Sequence, residues 1–162
     1  MGNVAKLTLY KSDNDPTGHT DRQRIEMKAN EGSKPLVAKK GSSFIYAWWF
    51  YLDPDMTAGD DFYHIFQIKG VGNQEKYTKY ALATLTFTIK NKFHLRLHDM
   101  SGNYDPPRVL IGDLTTVKGK WIQVFVKAVF NTKGSIQVDM KDQKGNSLLK
   151  KEFKSNHTVN QI

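Results

Sequence analysis

Hydrophobic and polar residues alternate along this chain with a period of two, in short stretches that are separated by Gly, Pro, Asn or Asp. Successive side chains of a strand point to opposite faces of a sheet, so this period predicts β-strands with one buried face. No stretch of a dozen residues keeps the apolar stripe of an amphipathic helix. The pattern predicts strands over residues 4–10, 22–29, 43–52, 62–69, 80–89, 92–99, 120–130, 135–141 and 147–153.

Turn-forming sequences divide these strands at residues 53–55, 70–73, 90–91, 131–134 and 143–146, while residues 12–21 and 101–108 are predicted as longer surface loops. The 162 residues, of which 39% are hydrophobic, suit one domain with a sizeable core. We therefore predict a single all-β domain over residues 1–162, a jelly-roll sandwich of two antiparallel sheets.

The composition narrows the classes of partner. Lys and Arg number 24 against 16 Asp and Glu, a formal charge of +8 that would attract nucleic acid, an anionic membrane or an acidic polysaccharide. A basic surface that only keeps the protein in solution is an equal alternative on charge alone. The densest basic clusters are only Lys39-Lys40 and Lys150-Lys151, which argues against a nucleic-acid-binding tail. The sequence has no Cys, which excludes disulfides and thiolate metal ligands.

Alternation on the predicted strand 22–29 places Arg22, Arg24, Glu26 and Lys28 on one face and Ile25 and Met27 on the other. Two interpretations remain open for the charged face. These residues could form solvent-exposed ion pairs, or they could line a groove in which guanidinium groups bind carboxylates or hydroxyls while Glu26 orients them.

The same alternation on strand 62–69 groups Tyr63, Gln67 and Lys69 on one face and His64 with three apolar residues on the other. A lone histidine in an apolar row is more often a hydrogen-bonded core residue than a catalyst, so we predict His64 in the core. Gln67 and Lys69 project together and offer an amide and an amine to a ligand.

Polar residues also alternate on the predicted strands 92–99 and 120–130, and acidic residues occur in two loops. Arg96 alternates with apolar residues between His94 and His98, and Lys127 shares a face with Gln123. His94 and His98 would lie more than about 10 Å apart at ~3.3 Å per residue, so we predict no transition-metal site. The acidic residues at 13–15 and 60–61 are predicted as solvated turn formers and not as calcium ligands.

Trp48 and Trp49 are adjacent in one predicted strand and must face opposite ways. One of them fills the core, and the other is available as a platform for stacking a sugar ring. The alternation does not distinguish between the two.

Two short patches carry a resemblance to a known group of enzymes. Residues 24–28, Arg-Ile-Glu-Met-Lys, are similar to the Arg-x-Glu-Leu-Arg strand of alginate lyases, and residues 67–69, Gln-Ile-Lys, to their Gln-Ile-His strand. The turn at 119–121 and the hairpin around 134–138 resemble the layout of glucuronan lyase. The chain thus resembles the concanavalin A-like jelly-roll polysaccharide lyases, which include alginate, glucuronan and heparin lyases.

This resemblance implies a groove on a concave sheet that binds an acidic polysaccharide and cleaves it by β-elimination. Arg24 and Gln67 would neutralise a uronate carboxylate, and Lys69 stands where the family has a catalytic His. The expected site consists of these three catalytic residues and a set of substrate-binding residues. The substrate-binding residues are Arg22, Glu26, Lys28, Tyr63, Arg96 and Lys127.

The resemblance also sets expectations for cofactors, partners and location. It implies no cofactor, no metal, and neither nucleic acid nor membrane as a partner; an extracellular protein is expected, with its signal peptide outside this sequence. The family places a catalytic Tyr on a late strand, whereas the last tyrosine here is Tyr104. Either closing strands follow residue 162, or the groove binds sugar without cleaving it, as a carbohydrate-binding or lectin-like module would. A structural or protein-binding sandwich is the third alternative.

Overall fold

The computed structural model describes residues 3–8, 26–27, 29, 37–57, 62–70, 81–97, 108–131 and 133–154. The chain forms two compact units, Met1–Val37 and Ala38–Ile162. Every strand described below belongs to the second unit. Within the described residues, no helix is long and apolar enough to cross a membrane.

In the part of the chain that the structure describes, eight antiparallel strands form two sheets of four strands each. The first sheet has the order β1-β6-β7-β8 and the second has the order β2-β3-β4-β5. The strands are β1 (Ser43–Tyr51), β2 (Tyr63–Lys69), β3 (Ala81–Thr88), β4 (Lys92–Leu97), β5 (Arg108–Asp113), β6 (Trp121–Val129), β7 (Ser135–Asp142) and β8 (Ser147–Lys154), with a one-turn helix α1 (Leu114–Val117) after β5. The prediction of an all-β sandwich of two antiparallel sheets is confirmed.

The hydrophobic core lies between the two sheets and is built from alternate residues of each strand. Trp48 of β1 stacks on Phe66 of β2 with ring centroids 4.7 Å apart, and this contact joins the sheets. Phe87 and Phe93 stack at 4.4 Å within the second sheet, and both are fully buried. Because the inner faces pack on each other, the outer faces of the two sheets point in opposite directions.

Seven of the predicted strands are present, with ends that differ by a few residues. The predicted strand at 4–10 is wrong over its described part, since residues 3–8 lie outside the strands and Val4 and Leu7 are exposed. Alternation marks side chains that could be buried, but a strand also needs a neighbour to pair with. At 22–29, the described residues 26, 27 and 29 also lie outside the strands.

Strand β5 was not predicted, and its first residue, Arg108, falls in the predicted loop 101–108. The strand contains three consecutive apolar residues, Val109, Leu110 and Ile111, so it shows no clear alternation. Val109 and Ile111 pack against the core, whereas Leu110 is exposed on the outer face. An exposed apolar residue therefore concealed this strand.

Candidate functional site

Polar side chains cover the outer face of the second sheet, which we call the polar face. Its residues form two rows that cross the four strands from β2 to β5. One row is Gln67, Thr84, Arg96 and Arg108, and the other is His64, Thr86, His94 and Leu110. Paired residues on adjacent strands lie about 5 Å apart, so each row brings together groups that are distant in sequence.

A β-bulge in β2 places His64 on the polar face. His64 pairs with Thr86 and Phe66 pairs with Leu85, so Ile65 is an extra residue opposite a continuous β3. Ile65 and Phe66 both pack against the core, while His64 is exposed. The prediction of His64 as a core residue is therefore wrong, because it assumed unbroken alternation. Bulges commonly redirect a side chain next to a functional site.

A chain of hydrogen bonds connects His64 to the centre of the sheet. Nδ1 of His64 lies 2.7 Å from Oγ1 of Thr86, and the Thr86 hydroxyl donates to Oγ1 of Thr84, also at 2.7 Å. Because the single hydroxyl proton of Thr86 is used toward Thr84, Thr86 accepts from Nδ1–H of His64. Neutral His64 is thereby held as the Nδ1–H tautomer, and its basic nitrogen is Nε2.

We call the strip along the centre of the polar face the trough, because the shortest side chains of this face lie there. Its central strand, β3, contributes short side chains, and Thr84 and Thr86 are almost completely buried. The strands on either side contribute longer ones, with His64 and Gln67 on β2 and His94 and Arg96 on β4. Because Thr84 and Thr86 are covered, the groups that a ligand would meet here are the longer side chains on β2 and β4.

Positive charge is concentrated on the β4–β5 side of this trough. Arg96 lies directly opposite Arg108, and Lys92 on the same strand lies opposite Asp113. Burial, followed by the positive charges of Arg108, Arg96 and Lys92, lowers the pKa of His94 below its usual value. His94 is therefore neutral at pH 7, and the guanidinium groups carry the charge on this side.

The structure brings together two of the predicted site residues, Gln67 and Arg96, which flank Thr84. Lys69 is exposed two residues further along β2, where it pairs with Ala81 after a second register shift. Arg22, Arg24 and Lys28 lie outside the described residues. Glu26 belongs to the first unit and is exposed.

Two of the predicted substrate-binding residues do not lie on the polar face. Tyr63 pairs with Phe87, a core residue, because the bulge reverses the faces of β2 before Ile65. Lys127 lies on β6 in the first sheet, with its exposed side chain on the outer face. Alternation assigned Lys127 to a polar face correctly, but it does not specify which sheet that face belongs to.

Four polar members of the rows are not predicted from the sequence, and one signal marks the two threonines among them. Strand β3 reads Ala-Leu-Ala-Thr-Leu-Thr-Phe-Thr, with hydroxyl groups at every second position from Thr84 to Thr88. A strand that is buried on both faces usually carries apolar residues on both. The regular threonines therefore indicated a central strand with a functional face. The missed residues are His64, Thr84, Thr86 and Arg108.

Within the described residues, no three His, Asp or Glu side chains are grouped closely enough to hold a metal ion. His64 and His94 flank Thr86 on opposite sides, so two strand spacings of about 5 Å separate them. The described groups of the trough can donate hydrogen bonds, neutralise anions and exchange one proton.

A comparison with protein-family models identifies the family to which the chain belongs. The model described as "Polysaccharide lyase" matches residues 2–161. The chain belongs to the polysaccharide lyase family. Its membership confirms the resemblance found in the sequence and makes a polysaccharide the class of substrate. No curated protein and no solved structure matches this lyase-family chain at a significant level.

Family membership gives the polar face a chemical context. Breaking a polysaccharide by elimination needs groups that bind a sugar chain, stabilise negative charge and move a proton. In this polysaccharide lyase family member, Gln67, Arg96 and His64 are among the described residues with those properties, and they lie in the two rows on the polar face.

Proposed function

We propose that the protein is a polyuronate lyase that cleaves an acidic polysaccharide by β-elimination in the trough of the polar face. The observation that carries this proposal is the hydrogen bond of 2.7 Å that orients His64, in the row next to Gln67 and Arg96. An oriented histidine beside groups that bind anions is what the elimination requires.

The trough suits a single sugar chain. Gln67 and Arg96 lie on either side of Thr84, so two strand spacings of about 5 Å each separate their backbones. The row that contains His64 lies about 7 Å away from this row along the strands. The amide of Gln67 and the guanidinium of Arg96 donate hydrogen bonds to the uronate carboxylate. Arg108, opposite Arg96, adds positive charge that attracts a polyanion and gives it an advantage over a neutral glucan.

The reaction needs no oxidant and no water. Nε2 of His64 takes the proton from the carbon next to the carboxylate, whose charge Gln67 and Arg96 neutralise. The electron pair of the broken C–H bond becomes a carbon–carbon double bond, and the bond to the glycosidic oxygen breaks with its electrons on that oxygen. The oxygen then receives the proton from Nε2. The products are a new chain end with a hydroxyl and an unsaturated uronate.

In this proposal His64 is the base, and Lys69 binds substrate. Imidazole is the side chain that most often acts as a general base, whereas the ammonium group of a lysine suits the binding of a carboxylate. Lys69, exposed at the end of β2, contacts a carboxylate of a neighbouring sugar. Arg24 as a second carboxylate-binding residue and an extracellular location remain predictions from the resemblance.

The test is incubation with a panel of polyuronates that includes glucuronan and alginate, with neutral glucans as controls. We expect ultraviolet absorbance from the unsaturated product with at least one polyuronate and with no glucan. The His64→Ala variant should lose this absorbance while it still retards the polymer in a gel, and Lys144→Ala, in an exposed turn, should match the wild type. Retardation without absorbance in the wild type would contradict the lyase and favour a carbohydrate-binding module.

A further inference from the structure

The outer face of the first sheet carries a cluster of aromatic side chains, which we call the aromatic face. Trp49 and Tyr51 of β1 are 50% and 44% exposed. Trp121 of β6 pairs with Tyr51, and their rings lie 5.4 Å apart. Phe125 continues the cluster on β6, opposite the small Ala47. Of the two adjacent tryptophans, Trp48 fills the core and Trp49 faces outward.

Amide and ammonium groups extend the same cross-strand rows. Trp49 pairs with Gln123, which pairs with Lys141, and Ile45 pairs with Lys127. Further along, Lys150 lies opposite Asp139 and Lys154 opposite Ser135. The described acidic residues of these rows are Asp139 and Glu152, so positive charge exceeds negative charge on this face.

We propose that the aromatic face is a second binding site for an anionic polysaccharide, separate from the trough. The C–H faces of sugar rings stack on exposed aromatic rings, while Gln123 hydrogen-bonds hydroxyls and the lysines pair with carboxylates. The chemical class of this ligand rests on the proposed function. A protein partner fits less well, because lysine is depleted from the centre of protein–protein interfaces, whereas here it continues the rows of the aromatic residues.

The position of this face gives it a distinct role. The core separates the two sheets, so the aromatic face and the trough point in opposite directions and bind different segments of a polymer, or different chains. Binding at one site raises the effective concentration of polymer at the other. Long polymers should therefore bind more tightly than short oligosaccharides, which occupy the trough alone.

The test measures affinity for a long polyuronate and for a short oligosaccharide of the same sugar, in the His64→Ala background so that neither is cleaved. We expect Trp49→Ala to lower the ratio of polymer affinity to oligosaccharide affinity about tenfold, as the loss of one stacked ring would. Lys127→Ala should lower this ratio less than Trp49→Ala does, and Trp49→Phe should retain most of the wild-type ratio. Lys144→Ala should leave the ratio unchanged.

Two outcomes would overturn the inference. An unchanged ratio in Trp49→Ala would show that the aromatic face does not bind the polymer, and the lyase proposal would still stand on cleavage by the wild type. A dimer that sedimentation detects in the wild type and that Trp49→Ala dissociates would make the face an interface between copies of the chain. Failure of the lyase proposal is distinct, since the wild type would then generate no absorbance with any polyuronate.

Discussion

His64 and Thr86 face each other across β2 and β3, and the 2.7 Å between Nδ1 and Oγ1 joins an exposed histidine to a fully buried hydroxyl. The bulge at Ile65 makes this pair possible. Because the Thr86 hydroxyl donates to Thr84, Thr86 is the acceptor in its hydrogen bond with His64. The proton acceptor in the proposed reaction is therefore oriented by a residue that does not touch the substrate.

Replacing Thr86 by valine tests this orienting role. Thr86→Val keeps the shape of the side chain but removes the hydroxyl, so both tautomers of His64 become populated. We expect kcat to fall on the order of 10–100-fold, by analogy with the loss that follows removal of a partner that orients a metal-ligating histidine. The acid limb of the pH profile of kcat/KM should also move, since it reports the pKa of the base in the free enzyme.

The controls for this variant come from the same strand. Thr86→Ser keeps the hydroxyl and should retain most of the activity, while Thr88→Val changes a hydroxyl at the end of β3 and should behave as the wild type. An unchanged pH profile in Thr86→Val, with the fold intact by circular dichroism, would mean that Thr86 does not orient His64.

Lys69 and His64 can be separated as candidate bases. We expect His64→Ala to lower kcat by about 10²–10⁴-fold, the usual contribution of a general base. Lys69→Ala should instead raise KM and leave most of kcat, because an exposed lysine contributes charge to binding. Steady-state kinetics on one polyuronate distinguishes the two. A collapse of kcat in Lys69→Ala alone would restore lysine as the base.

Arg96 should control the response of the reaction to salt. Removing this guanidinium weakens both carboxylate neutralisation and the attraction of a polyanion, so Arg96→Ala should lower kcat/KM and flatten its decline with ionic strength. Arg96→Lys should recover only part of the loss, because an ammonium does not provide the planar fork of a guanidinium. Lys133→Ala is the matched control, because it also removes one positive charge, from an exposed residue outside the strands. Equal effects of Arg96→Ala and Lys133→Ala would contradict a specific role.

The lowered pKa of His94 predicts a dependence of stability on pH. Its pKa is lower in the folded state than in the unfolded state, so at pH values between the two the unfolded chain binds more protons. The stability contributed by neutral His94 is present above the unfolded value of about 6.5 and is lost as the pH falls below it. Urea titrations from pH 7.5 to 5 should show this loss in the wild type and a smaller one in His94→Gln. An equal loss of stability with falling pH in the wild type and in His94→Gln would contradict the prediction.

Phe87 should be among the most costly residues to truncate. It is fully buried and stacks on Phe93 at 4.4 Å, so Phe87→Ala removes apolar area and leaves a cavity. We expect the free energy of unfolding to fall by about 3–5 kcal/mol in a urea titration. Phe62→Ala, at a 55% exposed position, should change it by less than about 1 kcal/mol and serves as the aromatic control. Similar losses of unfolding free energy in Phe87→Ala and Phe62→Ala would show that burial does not determine how much a truncation destabilises the protein.

Alternation was sufficient for the architecture because burial of one face dictates which residues alternate, and strands such as β1 and β6 follow that rule along their whole length. It failed at β5, where exposed Leu110 interrupts the pattern, and at residues 4–8, where no face is buried. The site was harder to predict. Gln67 and Arg96 were found as polar residues on strands, but His64 was assigned to the wrong face, and alternation left open which sheet carries Lys127.

These errors have physical causes. The register between strands depends on contacts that are distant in sequence, so the pairing of Gln67 with Thr84 and of Thr84 with Arg96 is not visible in any one strand. A bulge leaves no mark of its own in the sequence Tyr-His-Ile-Phe-Gln. The assignment of a polar residue to one sheet or the other depends on strand order, which alternation does not determine.

The bulge has a consequence for how this site could be recognised in other chains. His64 and Gln67 are three positions apart here, yet they lie on one face in adjacent rows. A chain that lacked Ile65 would have them two positions apart, with the same partners on β3 and the same side chains in the trough. A search motif with a fixed gap would miss one of these two forms, whereas a motif that accepts either gap would find both.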